Sequence, residues 1–158
     1  ARLGIPFTSM AGALENYFLK DKIRIVATGT HGKTTCTSMI SWILFDQGLD
    51  PSFFVGGIPR NFDCSSRLGN GRFFVIEGDE YDTAYFDKNP KFLHYRPDIA
   101  VITSVEFDHA DIYRDVDQIK LQFSRLADIV PEKGTIIACS DYQNIRDVTQ
   151  FSHAQVDY

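Results

Sequence analysis

The chain has few cysteines, and their number and placement exclude two classes of site. It carries three, Cys36, Cys64 and Cys139. An odd count at wide spacing does not fit a disulfide framework, and the absence of a C-x-x-C pair argues against a zinc site. We therefore expect reduced, buried thiols.

The chain also has no excess of positive charge and no long apolar run. Sixteen Lys and Arg residues face 21 Asp and Glu residues, for a formal net charge of -5, which leaves no basic face for a nucleic-acid backbone. No apolar run reaches the ~18 residues of a membrane span, and no signal-peptide pattern occurs. These shortages predict a cytoplasmic protein with neither nucleic acid nor membrane as a partner.

What the chain does have is a glycine-rich turn that ends in Gly-Lys-Thr-Thr. In "VATGTHGKTTCTSMISWIL", residues 26 to 44, apolar residues lead into this turn and a helical pattern follows it. A strand, a glycine-rich loop and a helix in this order place backbone N-H groups at a helix N-terminus, where the partial positive charge favours phosphate. The segment predicts a phosphate-binding loop.

Individual residues of this loop have distinct expected roles. Gly29 and Gly32 let the backbone turn and approach a ligand closely. Lys33 is expected to be an exposed, mobile ammonium for the β- and γ-phosphates, and the Thr34 hydroxyl is placed to bind Mg2+. The general pattern G-x-x-x-x-G-K-[ST] has glycine where this chain has Ala27.

Apolar runs and helical periodicity along the rest of the chain predict an α/β fold. Strands alternating with helices favour a mostly parallel sheet with helices on both faces. Expected helices cover 8–22, with Ser9 as N-cap, and 115–130, with an apolar face of Val116, Ile119, Phe123, Leu126 and Val130. Expected strands lie within 23–29, 52–57, 72–78, 99–106 and 134–140.

Carboxylates cluster after two of these expected strands, where ligands of parallel sheets gather. Carboxylate oxygens suit Mg2+, so either cluster is a candidate magnesium site. A solvated acidic loop is the favoured alternative for Asp79, Asp82 and Asp111. The first cluster is Glu77, Asp79, Glu80 and Asp82, and the second is Glu106, Asp108, His109 and Asp111.

Three ordered motifs, "TGTHGKTT", "EGDEYD" and "EFDHADIY", resemble the P-loop-containing central ATPase domain of the Mur ligases. These enzymes form amide bonds on UDP-N-acetylmuramate peptides. The resemblance covers residues 1 to about 145. It implies that residues 1–20 are the tail of a UDP-binding domain or a linker helix. Residues 21–158 would then be an incomplete central ATP-binding domain without the family's C-terminal domain.

The resemblance also implies cofactors and the residues that hold them. ATP would contact Gly29, Thr30, His31, Gly32, Lys33, Thr34 and Thr35, with Asn61 near the phosphates. Magnesium would be bound by Thr34, Glu77 and His109, and Lys33 and His109 would act in catalysis. His31 is expected to serve through its backbone N-H. The family usually has asparagine where this chain has Ser104.

Within the family, the stretches "EYDTAYFDK" and "HYRP" resemble the bacterial members of peptidoglycan recycling. This implies an ATP-dependent ligase that joins UDP-N-acetylmuramate to the tripeptide L-Ala-gamma-D-Glu-meso-diaminopimelate via an acyl-phosphate. The 158 residues alone are expected to be inactive. Alternatives are an L-alanine-adding ligase on UDP-N-acetylmuramate, a folate polyglutamate ligase and a non-catalytic nucleotide-binding module. A regulatory GTPase is disfavoured because its D-x-x-G and N-K-x-D segments are lacking.

Overall fold

A computed structural model describes residues 6–108 and 113–158 and has a seven-stranded sheet at its centre. The strands are β1 (Ile23–Thr28), β2 (Ser52–Phe54), β3 (Ser66–Arg67), β4 (Phe73–Gly78), β5 (Asp82–Ala84), β6 (Asp87–Pro90), β7 (Ile99–Ile102), β8 (Thr135–Ala138) and β9 (Gln155–Asp157). The helices are α1 (Met10–Leu14), α2 (Lys33–Asp46), α3 (Lys91–Tyr95), α4 (Val116–Ile129) and α5 (Gln143–Thr149), with a π-helical turn (Glu15–Leu19) after α1.

Strand β1 is the middle strand of the sheet, whose order is β3-β2-β4-β1-β7-β8-β9. It pairs in parallel with β4 on one side and β7 on the other. All other pairings in this sheet are parallel except that of β2 with the edge strand β3, and β5 and β6 form a separate hairpin. Because the chain winds first to one side of β1 and later to the other, the carboxyl end of β1 is a switch point of the sheet, where ligands bind.

The larger core lies on the sheet face covered by α3, α4 and α5. Helix α4 turns Ile119, Phe123 and Leu126 inward with almost no exposed surface, which confirms the amphipathic helix expected over 115–130. Its N-terminus is capped by Asp115, whose side chain accepts a hydrogen bond from the Gln118 N-H. Periodic apolar side chains and a capping residue together explain where this helix begins and how it packs.

Helix α2 covers the opposite face with small polar side chains. Thr37 and Ser41 are fully buried against the sheet, and their hydroxyls donate to the carbonyls four residues earlier, at 2.8 and 2.7 Å. Small residues let the helix lie close to the strands, and the internal hydrogen bonds satisfy the buried hydroxyls. Met39 and Ile43, although at helical spacing, are exposed.

The first expected helix is shorter than the sequence indicates. Ser9 caps it, accepting from the Gly12 N-H at 3.0 Å, but α1 ends at Leu14 and continues as the π-helical turn. Its buried contacts come from Ala11 and Leu19 rather than from Met10. The five expected strands are present with shorter bounds. The pattern missed β3, the β5–β6 hairpin, α3, α5 and β9.

The cysteines are free, as expected, but they are half-buried rather than buried. Burial raises the pKa of the Cys36 thiol. Within the described ranges, the chain has no helix with both the length and the apolar character needed to cross a membrane.

An ion pair joins β1 to the residue before β7. It lies at the amino ends of these strands, opposite the switch point. The Arg24 guanidinium donates to both Asp98 carboxylate oxygens at 2.9 Å, and the Arg24 N-H donates to the same group at 2.8 Å. Burial alone would raise the pKa of Asp98, but the hydrogen bonds and charge of Arg24 outweigh it and hold the pKa below its usual value.

We expect this pair to stabilise the fold in a pH-dependent way. A carboxyl group whose pKa is lower in the folded state contributes stability above its unfolded pKa of about 4, and that stability is lost as pH falls through the folded pKa. The difference in free energy of unfolding between the wild type and Asp98→Asn should therefore be constant above about pH 5 and shrink below pH 4. Urea titrations across this range would measure it, and a pH-independent difference would contradict the assignment.

Candidate phosphate-binding site

The loop between β1 and α2 requires glycine at two positions. Gly29 has φ +135° and Gly32 has φ +82°, conformations that side chains with a Cβ rarely adopt. A Cβ on Gly29 would also lie 2.2 Å from the Thr103 Oγ1. The turn therefore begins at Gly29, and Ala27 needs no glycine because it lies within β1, paired with Glu77 of β4.

This turn leads directly into the N-terminus of α2. Gly32 is the N-cap residue, and the first intrahelical bond runs from the Cys36 N-H to the Gly32 carbonyl at 2.9 Å. The earlier N-H groups of an α-helix have no partner within the helix. The N-H groups at the start of α2 are therefore geometrically suited to an anion at the carboxyl end of β1.

The residues that follow β7 hold the loop in place. The Ser104 carbonyl accepts from the Thr30 N-H at 3.0 Å, and the Ser104 hydroxyl accepts from the His31 N-H at 2.9 Å. The Thr103 hydroxyl donates to the Thr28 carbonyl at 3.0 Å. Ser104 is buried, so its short side chain fixes the loop backbone directly. The His31 N-H, expected to serve the ligand, donates to Ser104 in this structure.

Lys33 is not the exposed loop ammonium that the sequence suggests. Its side chain is 13% exposed, and its Nζ lies 2.9 Å from the Oε2 of Glu80, whose side chain is 2% exposed. The same Nζ donates to the Gly29 carbonyl at 2.7 Å. Lys33 therefore forms a buried ion pair, which makes it part of the packing of the domain as well as of the loop.

Glu80 is itself held by a buried tyrosine. The Tyr113 hydroxyl donates to the Glu80 carbonyl oxygen at 2.6 Å. Burial, followed by the negative charges of Glu80, Asp82 and Asp79, raises the pKa of Tyr113 to about 12. The phenol therefore stays protonated and remains a donor at neutral pH.

Thr34 and Glu77 come together at the opposite wall of the loop. The Thr34 hydroxyl donates to the Glu77 Oε1 at 2.9 Å, and the Gly56 N-H donates to the Glu77 Oε2 at 2.8 Å. Glu77 lies near the carboxyl end of β4, beside β1. A Cβ on Gly56 would lie 2.9 Å from the Glu77 Oε2, so the glycine gives the carboxylate room.

The Thr34 and Glu77 oxygens fit Mg2+ chemically. Both are hard donors, and a protein often supplies only one or two ligands to this ion while phosphates and water supply the rest. Residues 6–108 and 113–158 contain no cluster of three or more His, Cys, Asp or Glu residues that could bind a metal. The third expected ligand, His109, lies outside the described residues, as does Asp111.

Two adjoining cavities open at the start of α2. One, of about 370 Å³, is lined by residues 30–35 together with Glu77. The other, of about 510 Å³, shares Thr34 and Thr35 and extends along α2 to Trp42, with Asn61 on its far side. The structure thus brings Asn61 to the cavity next to the loop.

Several other candidate residues have different partners. Asp79 pairs with Lys91 and Asp82 pairs with Lys88, each at 2.8 Å. Neither lines these two cavities, but Asp79 lines a third, of about 200 Å³, together with Glu77. The His31 side chain is 66% exposed, and its Nε2 lies 3.7 Å from the Glu106 Oε2.

Three contributors to the site were not foreseen from the sequence. Glu80 was one of four acidic candidates, with nothing to distinguish it as the partner of Lys33. Thr103 and Gly56 act through contacts to residues far away in the chain. A glycine at the end of an apolar run, as in "SFFVGG" at 52–57, is a local signal that could have drawn attention to Gly56.

The fold and the loop define a doubly wound α/β domain with a phosphate-binding loop at its switch point. The chain belongs to the Mur ligase family, because the sequence model of the Mur ligase middle domain matches residues 27–157. Three similar proteins describe its place in that family more closely.

In Escherichia coli K12, "UDP-N-acetylmuramate--L-alanyl-gamma-D-glutamyl-meso-2,6-diaminoheptandioate ligase" is 48% identical over 133 residues, which are 84% of this chain and 29% of that protein. The protein of the same name from Haemophilus influenzae is 41% identical over 143 residues, 90% of this chain and 32% of that protein. The crystal structure of UDP-N-acetylmuramate:L-alanyl-gamma-D-glutamyl-meso-diaminopimelate ligase from Neisseria meningitides superposes with a TM-score of 0.92 at 42% identity, covering 98% of this chain and 51% of that one. The chain spans about a third of the length of the curated relatives it matches.

Proposed function

We propose that this chain is the ATP-binding part of a ligase that joins UDP-N-acetylmuramate to the tripeptide L-Ala-gamma-D-Glu-meso-diaminopimelate. The observation that carries the proposal is the contact between the Thr34 hydroxyl and Glu77 at 2.9 Å, directly beside the N-terminus of α2. Two oxygens that suit Mg2+ thus lie next to a helix end that suits phosphate, which supports a site for a nucleoside triphosphate with Mg2+.

The proposed reaction follows from the low reactivity of a carboxylate toward amines. A carboxylate oxygen of UDP-N-acetylmuramate attacks the γ-phosphorus of ATP, and ADP leaves. The tripeptide amine then attacks the carbonyl carbon of the resulting acyl-phosphate, phosphate leaves, and the amine loses a proton to solvent or base. Negative charge builds on the transferred phosphoryl group, so cations and N-H donors supply most of the catalysis.

Each loop residue has a role in this scheme. The N-H groups at the start of α2 bind the phosphates, Gly29 and Gly32 shape the backbone, and Lys33 contributes its ammonium. Thr30, His31 and Thr35 would form the rest of the phosphate-binding loop, and Asn61 would face the loop from the adjoining cavity. Thr34 and Glu77 would hold Mg2+, which neutralises phosphate charge when bound, and His109 is proposed as a further ligand.

The division of the chain is part of the proposal. We assign residues 1–20 to the end of a UDP-binding domain or its linker, and residues 21–158 to part of the central ATP-binding domain. The relatives are about three times longer than the matched region, so other parts of the ligase would bind the sugar nucleotide and the amine. The reaction would take place in the bacterial cytoplasm, where ATP is available.

The choice of the tripeptide as the amine substrate rests on two relatives that carry the same name. The Escherichia coli and Haemophilus influenzae proteins both carry tripeptide-ligase names, at 48% and 41% identity. This favours the tripeptide over L-alanine as the amine substrate. It also favours a ligase over a non-catalytic nucleotide-binding module.

The test is a ligation assay on the full-length protein that carries this chain. With ATP, Mg2+ and UDP-N-acetylmuramate, the tripeptide should give ADP and an amide product of the expected mass, whereas L-alanine should give neither. Glu77→Gln should keep its fold but lose about 10²–10³-fold in kcat, because a neutral amide binds magnesium poorly.

Asp82→Asn is the matched control for this variant, since it removes a nearby carboxylate that lines neither cavity, and it should retain wild-type rates. Coupled ADP release with L-alanine instead of the tripeptide would overturn the substrate assignment. Wild-type activity in Glu77→Gln would overturn the magnesium site.

A further inference from the structure

The Lys33 ammonium has all three of its hydrogen-bonding positions filled by the protein itself. Its Nζ lies 2.7 Å from the Gly29 carbonyl, 3.4 Å from the Thr30 carbonyl, and 2.9 and 3.1 Å from the two Glu80 carboxylate oxygens. An ammonium has three N-H donors. A phosphate oxygen can therefore reach this group only by displacing one of the existing acceptors or by drawing the side chain away from them.

Glu80 is the charged member of this set, and it is shielded from water. With 2% of its side chain exposed, its negative charge acts through a medium that screens far less than bulk solvent. Lys33 lines the cavity of about 370 Å³ at the start of α2. A nucleotide phosphate in that cavity thus competes directly with Glu80 for the same cation, and it is also repelled by the carboxylate.

Glu80 cannot easily move aside. Its carbonyl oxygen accepts a buried hydrogen bond from the Tyr113 hydroxyl at 2.6 Å, so its backbone is anchored on the far side from the loop. Its side chain is enclosed, because it is almost without exposed surface. Lys33, with a longer and more flexible side chain, is the partner that moves.

We propose that Glu80 is a positioning residue that acts as an exchangeable counter-ion for Lys33. Glu80 holds the ammonium as the structure shows, and when a nucleotide binds, the ammonium turns partly or wholly to phosphate. When ADP leaves, the Lys33 ammonium returns to Glu80. Glu80 thereby weakens nucleotide binding and speeds release of the diphosphate. This inference rests on the proposed function only in taking the loop to be a nucleotide-phosphate site.

The experiment compares ADP binding in the wild type and in Glu80→Gln of the full-length protein, with excess Mg2+. Gln keeps the size of the side chain and an oxygen acceptor for Lys33 but removes the competing charge. We expect the dissociation constant in calorimetric titration to fall about tenfold. Most of that change should be a slower dissociation rate of a fluorescent ADP analogue in stopped-flow measurements.

Two further variants separate charge competition from structural support. Glu80→Asp keeps the charge, so its dissociation constant for ADP should lie between those of the wild type and Glu80→Gln. Asp82→Asn removes an ion-paired carboxylate two residues away and should match the wild type. If Glu80 only supported the loop, Glu80→Gln would bind ADP more weakly. Equal or weaker binding by folded Glu80→Gln would overturn the inference, whereas a wild type that binds no ADP would overturn the proposed function instead.

Discussion

Lys33→Met should both abolish nucleotide binding and destabilise the domain. Under the proposed function, removing the ammonium takes away the cation that would meet the phosphates, and charge-assisted contacts are the strong ones in such a site. The substitution also takes away the ammonium that lies 2.9 Å from the Glu80 carboxylate, whose side chain is only 2% exposed. Breaking a buried ion pair in this way costs roughly 3 kcal/mol or more. Calorimetric titration with ADP and urea unfolding would measure the two losses separately.

The double variant Lys33→Met with Glu80→Gln is the control that separates them. Replacing both charges by neutral groups of similar size removes the buried carboxylate along with the ammonium, so most of the lost stability should return. Nucleotide binding should not return, because the ammonium is still missing. A single variant that remains as stable as the wild type would contradict the ion pair seen here and would restore the view of Lys33 as an exposed loop residue.

Gly29→Ala should be the most damaging single change in the loop backbone. At φ +135° an alanine is strained, and its Cβ would lie 2.2 Å from the Thr103 Oγ1 and 2.8 Å from the Ser104 nitrogen. Strain of this kind costs about 1–3 kcal/mol before the clash is counted. We expect a loss of at least about 3 kcal/mol in the free energy of unfolding, measured by urea titration, together with loss of ADP binding.

Gly48→Ala provides the matched comparison. Gly48 also has a positive φ, +72°, but a Cβ there would meet nothing within 4 Å. Only the backbone strain remains, so the expected loss is about 1 kcal/mol with ADP binding unchanged. Equal losses in the free energy of unfolding at the two positions would show that the close approach of Gly29 to Thr103 and Ser104 adds nothing to the cost of the substitution.

The fold was predictable where local pattern and tertiary role coincide. Helix α4 shows both an apolar periodicity and an N-cap, and the central strands β1 and β4 are largely buried, so their runs are plainly apolar. The pattern failed where burial depends on distant partners. Gln155–Asp157 is too polar to read as a strand, yet it pairs with β8, and Met39 has helical spacing but faces outward.

The candidate site divides in the same manner. Gly29, Gly32, Lys33 and Thr34 lie within one short stretch of the sequence, so the order of residues alone indicates a phosphate-binding loop. The partner of Lys33 could not be chosen from four nearby acidic residues, because burial of Glu80 depends on how the segment after β4 packs. The role of Ser104 likewise depends on a hydrogen bond across 73 positions of the chain.

The long-range ties of the loop also constrain the order in which the protein folds. Strand β1 pairs with strands far along the chain, Ile23 with Phe73 and Ile25 with Ile99, and such distant pairings form slowly. The hydrogen bonds that join the loop to Thr103 and Ser104 cannot form until β7 has docked beside β1. The phosphate-binding loop is therefore completed late, after both neighbours of the central strand are in place. A nucleotide would then act on the finished domain, slowing its unfolding rather than guiding its assembly.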